Sequence, residues 1–194
     1  PLEEPRVDAS GVERFIHHVN SPADDDQSMA YFYLLPIMAA RQSIHLTTPY
    51  FIPDEPLKEA LRKKAREGVD VRVIVPGKHT DHVLTRFTGQ NSYETLLEAG
   101  VKIYEYQPTF IHAKAAIIDG QWSIVGSPNL NTRSRRLDEE NAMGILDGGL
   151  AAQLEARFSA DLARSSQIDL GDWRRRSPLL RLVQLSARLI ENQS

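Results

Sequence analysis

The segment HAKAAIID at 112–119 is followed by GSPN at 126–129 and by Glu140. Its apolar residues suit a β-strand, where alternate side chains share a face, so His112 and Lys114 would project together roughly 7 Å apart. A neutral imidazole can attack phosphorus or move a proton near neutral pH. An ammonium beside it offsets the charge on the oxygens of a phosphoryl group in transfer. Asp119 lies at an odd offset from His112, so a regular strand turns it to the opposite face and makes it structural. Ser127 and Asn129 offer a hydroxyl and a carboxamide to phosphate oxygens, next to Gly126, where the backbone can approach a ligand closely. Asp138 and Glu140 share a face if LDEEN is extended. A carboxylate that accepts from one imidazole nitrogen fixes the tautomer and leaves the other nitrogen free to attack.

These groups need a scaffold. VERFIHHVN (12–20) fits a first strand after an extended N-terminal linker, so residues 1–20 read as linker and first strand and 21–194 as a single domain. A helix is expected near 27–41, with a kink at Pro36. SIHLTTPYF (43–51) reads as a strand entering a Pro-bracketed loop. LKEALRKKAREG (57–68) is an amphipathic helix stopped by Gly68, and VDVRVIVP (69–76) alternates as a strand. Residues 81–100 read as mostly helical and VKIYEY (101–106) as a strand. HAKAAIID and WSIVGS form a hairpin through Asp119-Gly120, with Gln121 able to lengthen the turn. EENAMGILD (139–147) adds a strand, residues 149–166 a helix, and residues 178–192 a last helix after the WRRRSP break. Strands alternating with helices, plus a hairpin, imply an α/β fold: a mixed β-sheet sandwiched between helices.

The chain has 194 residues, 41% hydrophobic and 25% charged, with a formal net charge of −3. That balance suits a globular domain and argues against a dedicated nucleic-acid binder. It contains no cysteine, which removes disulfides and thiolate metal sites. The chain starts at Pro1 without a visible signal peptide, so a longer parent protein is expected. Its most apolar stretch, residues 29–40, is too short for a bilayer, which needs about 20 residues.

The set His112-x-Lys114-x4-Asp119, Gly126-Ser127-x-Asn129 and Glu140 resembles the HKD motif of the phospholipase D superfamily. TPYFIPDEPLKEAL, GVDVRVIVPG, LLEAGVKIYEY and the stretch from FIHAKAAIIDG to DEENAMGI extend the likeness to the C-terminal half of a bacterial cardiolipin synthase. The resemblance implies a phospholipase D-like fold and phosphodiester exchange through a phosphohistidine, with no metal and no cofactor. It implies that Lys114 and Asn129 hold phosphoryl oxygens, that Glu140 orients His112, and that Tyr50 lies on the substrate side near the mouth. Two imidazoles are needed, and the chain carries one HxK. In two-motif relatives the first half usually supplies the nucleophile, so His112 is the better candidate for the acid/base.

The implied partners are a phosphatidylglycerol-like phospholipid, an N-terminal half with a second HKD motif or a second copy of the chain, and peripheral contact with a bacterial inner membrane. The chain itself is expected to be soluble. Two other readings stand beside this one: a homodimeric phosphodiesterase or nuclease, and a non-catalytic domain binding anionic lipid. His17 and His18 read as surface or linker residues, and His79 and His82, in the GKHTDH loop after the VIVP strand end, as a solvated loop with a substrate contact as the alternative. Arg174, Arg175 and Arg176, beside Trp173, read as solvent-facing residues next to a packing helix, with an anionic lipid surface as the alternative.

Overall fold

The computed structural model describes residues 14–20, 28–131 and 139–177. An eight-stranded sheet runs in the order β1-β9-β7-β6-β2-β4-β5-β10. Its strands are β1 (Arg14–Asn20), β2 (Ser43–Thr47), β4 (Asp70–Pro76), β5 (Lys102–Tyr106), β6 (Ala115–Ile118), β7 (Trp122–Gly126), β9 (Glu140–Leu146) and β10 (Ser165–Gln167). β2, β4 and β5 pair in parallel, and the remaining pairs are antiparallel. A short parallel pair, β3 (Phe51–Ile52) with β8 (Leu130–Asn131), forms a second sheet. The expected sandwich of a mixed sheet between helices is thus the observed architecture.

The two faces are covered by different helices, as the strand alternation requires. On one face Ile44, Leu46, Val71, Val73, Ala116 and Ile118 are buried in one cluster with residues of α1 (Ser28–Ala39), α2 (Glu55–Arg66) and α4 (Tyr93–Glu98). On the other, Ile74 and Ile117 pack with Ala151 and Phe158 of α5 (Gly148–Leu162). Helix α3 (Val83–Gln90) sits under β3, and Gly89 is needed there because a Cβ would lie 2.3 Å from the Phe51 carbonyl oxygen.

Local chemistry sets the element ends. Asp54 caps α2 by accepting from the Leu57 N–H at 3.1 Å, and Lys63, Lys64 and Arg66 favour its C-terminal end. Gly68 follows with φ +91°. Pro36 lies inside α1, which continues to Ala39. In the β6–β7 turn, Asp119 and Gly120 have φ of 53° and 62°, and Gln121 N–H donates back to Ile118 O. Positive φ at both central residues is the type I′ signature, with Gln121 as the extra loop residue.

Three expectations need correction. The helix expected over 149–166 ends at Leu162, and Ser165–Gln167 instead add an antiparallel edge strand to β5. The WRRRSP break contains a short helix, α6 (Leu170–Arg175). The strand expected to carry His112 and Lys114 begins only at Ala115. Its neighbour β2 ends at Thr47, the partner of Ala115, and Thr48 N–H turns away to bond Ile74 O. On the other side the ladder with β7 also begins at Ala115, opposite Val125, although β7 itself runs on to Gly126. The helix expected over 178–192, with Leu179, Leu182, Val183 and Leu189, lies outside the described residues.

Candidate active site

Strand direction gathers the motif at one edge of the sheet. β2, β4, β5 and β7 run toward this edge, while β6 and β9 start from it. The loops after β2, β4 and β5 carry Tyr50, Asp81 and Phe110. His112 and Lys114 lead into β6, Ser127 and Asn129 leave β7, and Glu140 opens β9. The parallel register Phe51 with Leu130 then sets the preceding residues, Tyr50 and Asn129, at the same end of the β3–β8 pair.

His112 is exposed, and Lys114 folds back onto it. Lys114 Nζ lies 3.2 Å from Nδ1 and 3.1 Å from Nε2 of the ring, and 3.2 Å from the His112 carbonyl oxygen. Near-equal distances to both nitrogens do not suit a bond along either lone pair. The ammonium sits against the ring as a whole. Burial pulls the Lys114 ammonium below the usual lysine range, against the opposing pull of the Glu140 and Asp81 carboxylates.

Aromatic rings wall the imidazole. Phe110 and Tyr50 have ring centroids 5.3 and 6.2 Å from that of His112, and Tyr50 is edge-on to it. Tyr50 is edge-on to His82 as well, at 5.8 Å. The Tyr50 hydroxyl donates to Asp81 Oδ2 at 2.6 Å. Burial first, then this bond, pushes the phenol well above its usual range, so it remains a donor. Asp81 and Phe110 are not site residues in the sequence reading, where the same loop enters only through His79 and His82. The available signal was that GKHTDH follows β4, whose C-terminal end lies beside that of β2.

In the GSPN stretch, Ser127 is bonded to the start of β9. Ser127 Oγ accepts from the Asn141 N–H at 3.0 Å, and the Ser127 N–H donates to Asn141 O at 2.9 Å. Ser127 thus fastens the start of β9, the residue after Glu140. Gly126 makes that approach possible, because a Cβ there would lie 2.4 Å from Asn141 O. Asn129 is half-buried between Pro128 and Leu130, both buried.

Glu140 is buried, and its charge reaches Lys114 and the Tyr33 phenol, whose pKa is raised by burial and then by Glu140. It makes no hydrogen bond with His112 among the described residues. Asp138 lies outside them.

Asp119 lies at the far end of β6, away from the imidazole. Its carboxylate accepts from the backbone N–H groups of Arg41, Gln42 and Ser43 at 2.9, 2.7 and 2.9 Å. Asp119 thus ties the hairpin turn to the entry of β2. His18 stacks on Phe32 at 5.4 Å, away from the motif. Arg174 pairs with Glu94 and Glu98 of α4, and Arg176 lies over the Trp173 ring at 4.2 Å. No group of three or more His, Asp and Glu side chains is placed to hold a metal among the described residues. No helix among them is long and apolar enough to cross a membrane.

Residues 34–162 match the family model described as cardiolipin synthase, phospholipase D-like domain. A cardiolipin synthase A from Pseudomonas aeruginosa is 37% identical over 171 residues, 88% of this chain and 34% of that protein. The chain spans about a third of the length of the curated relatives it matches. The phospholipase D family member Nuc from Salmonella typhimurium has the same fold, with a TM-score of 0.69 at 18% identity over 80% of this chain and 98% of that one. A phosphatidylserine synthase from Haemophilus influenzae superposes with a TM-score of 0.67 at 19% identity, over 94% and 47% of the two chains. With His112, Lys114, Ser127, Asn129 and Glu140 at one end of the strands and a family model matching residues 34–162, two thirds of the sequence, the chain belongs to the phospholipase D-like domain family of the cardiolipin synthases.

Proposed function

We propose that this chain is the C-terminal, motif-bearing half of a phosphatidyltransferase that exchanges phosphodiesters on a phosphatidylglycerol-like lipid. The observation that carries the reading is an exposed imidazole with an ammonium 3.1 Å from it, walled by Tyr50 and Phe110. In the first step one imidazole nitrogen attacks phosphorus. The P–O bond to the leaving alcohol breaks, and a second imidazole protonates that alcohol. In the second step an acceptor alcohol gives its proton to the second imidazole, its oxygen bonds phosphorus, and the P–N bond breaks. His112 supplies one of the two imidazoles, in the acid/base role. Lys114 carries the positive charge opposite the phosphoryl oxygens, and Glu140 keeps that lysine charged. Asn129 donates from the other side.

The second imidazole belongs to the rest of the parent protein. Phe15 and Val19 are exposed on one face of edge strand β1 and Ile16 on the other, and Val19 pairs with Asn141, the residue after Glu140. Exposed apolar patches mark contact surfaces, and a second motif-bearing half resting here meets the site. The near-complete coverage of Nuc by a single such domain favours, as a second reading, a pair of identical chains. Peripheral contact with the membrane that holds the lipid completes the proposal.

The test is phosphatidyl transfer by the full-length parent and its His112→Ala variant, with and without EDTA. Loss of turnover by at least about 1000-fold, insensitivity to chelation, and no turnover by monomeric 194-residue chain support the reading. Robust turnover by the monomer, abolished by His112→Ala, sinks the half-site.

A further inference from the structure

We propose that Asp81, tethered by Tyr50, forms a polyol subsite beside His112 that takes the hydroxyls of a glycerol-type alcohol. This rests on the phosphatidyltransferase reading. The motif accounts for the phosphoryl group but assigns nothing to the alcohols that leave and arrive. Asp81 is not part of the motif, yet its charge is close enough to hold up the Lys114 ammonium. A carboxylate there works against phosphate, because like charges repel. It suits a neutral ligand whose O–H groups donate.

The geometry matches that ligand chemistry. The Tyr50 hydroxyl occupies one acceptor position on Asp81 Oδ2, and His82 Nε2, at 3.8 Å from the same oxygen, is beyond hydrogen-bond range. An ionised carboxylate has about four acceptor positions. The Asp81 side chain is 44% exposed, so the others can be reached from the mouth. The rings of Tyr50 and His82 beside it offer apolar surface to the C–H edges of a short polyol. The recess that Tyr50 lines with Pro49, Thr80, Thr85 and Arg86 has a volume of about 10 Å³, room for a water at most. The subsite proposed for a three-carbon alcohol is therefore the exposed side of Asp81 and not this recess. The mouth is divided into a cationic end for phosphate and an anionic end for hydroxyl donors.

The experiment measures phosphatidyl transfer by the full-length parent, from phosphatidylglycerol in mixed micelles to isotopically labelled glycerol, read as label entering the lipid, and, separately, to labelled 1-propanol. The reading is the ratio of kcat/KM for the two alcohols, which is independent of the amount of folded enzyme. Asp81→Ala is expected to lower the glycerol-to-propanol ratio by about 10-fold or more, the scale of a lost hydrogen bond to a charged group. Asp81→Asn keeps an oxygen for Tyr50 but loses the charge, and is expected to lower the ratio by about 3-fold. A ratio within about 2-fold of the parent in both variants overturns the subsite and leaves Asp81 as a loop tether. A parent that hydrolyses but transfers to neither alcohol overturns the transferase reading and this one with it.

Discussion

Asp119 is the third letter of the HKD motif, yet the structure gives it the work of a clamp, and Asp119→Ala, →Gly and →Asn should separate its parts. A hydrogen bond to a charged acceptor contributes about 1.5–3 kcal/mol when protected. Three such bonds reach Asp119, but the amides of Arg41 and Gln42 are exposed and water replaces much of what they lose. A net of about 2–3 kcal/mol is a reasonable expectation for all three. Asp119 also has φ +53°, where an alanine costs about 1 kcal/mol more and glycine or asparagine does not. The expected losses are about 3–4 kcal/mol for Ala, about 2–3 for Gly and about 1–2 for Asn.

Urea unfolding at pH 7 reads these as shifts in midpoint at constant m. The pH dependence has a definite sign. Burial raises the Asp119 carboxyl, but the amides of Ser43, Gln42 and Arg41, with the Lys64 charge, more than offset this, and the net shift is down. Its stabilisation is then full above the unfolded value of about 3.9 and is lost as pH falls through the lower folded value. The gap between wild type and Asp119→Asn should close on acidification. Turnover lost in Asp119→Asn with an unmoved midpoint would place Asp119 in the chemistry and refute the clamp.

Ser127→Ala should cost about 1 kcal/mol in denaturation and no more than about 10-fold in kcat, because its hydroxyl holds Asn141; a loss of about 100-fold or more without destabilisation would make it a phosphate ligand. Gly126→Ala forces a Cβ to 2.4 Å from Asn141 O and 2.7 Å from Ala142 Cα. It should lower the urea midpoint by the equivalent of about 2 kcal/mol or more. Glu140→Gln removes a charge that opposes the depression of the Lys114 pKa. The alkaline limb of the kcat/KM profile should therefore move to lower pH, and an unmoved limb would separate Glu140 from Lys114.

The spacing of His112, Lys114, Asn129 and Glu140 pointed to one candidate site, and the structure sets these residues at the matching ends of the neighbouring strands β6, β7 and β9. Their local setting was less legible. Alternation placed His112 and Lys114 on a strand because AKAAII looks extended, but whether a residue joins a ladder depends on where the neighbouring strand stops, and Thr47 decides that. Ser165–Gln167 lacks apolar periodicity because an edge strand can bury little of its surface. Asp81 meets Tyr50 across 31 residues, through the adjacency of β2 and β4. Nothing in GKHTDH reports that adjacency.

Lys114 and Asp119 bound the same short strand, about 16 Å apart by strand rise, with reactive groups at one end and the Arg41–Ser43 clamp at the other. Energetic effects of changes that far apart are close to additive. The end that carries the chemistry can then accumulate substitutions in its loops, exchanging one alcohol or lipid for another, while the turn at the other end keeps the fold above its stability threshold. Substrate range and foldability become separately adjustable quantities in this domain, and a directed-evolution library confined to residues 78–82 and 108–110, which spares Gly77 and the buried Ile111, samples the first with little draw on the second.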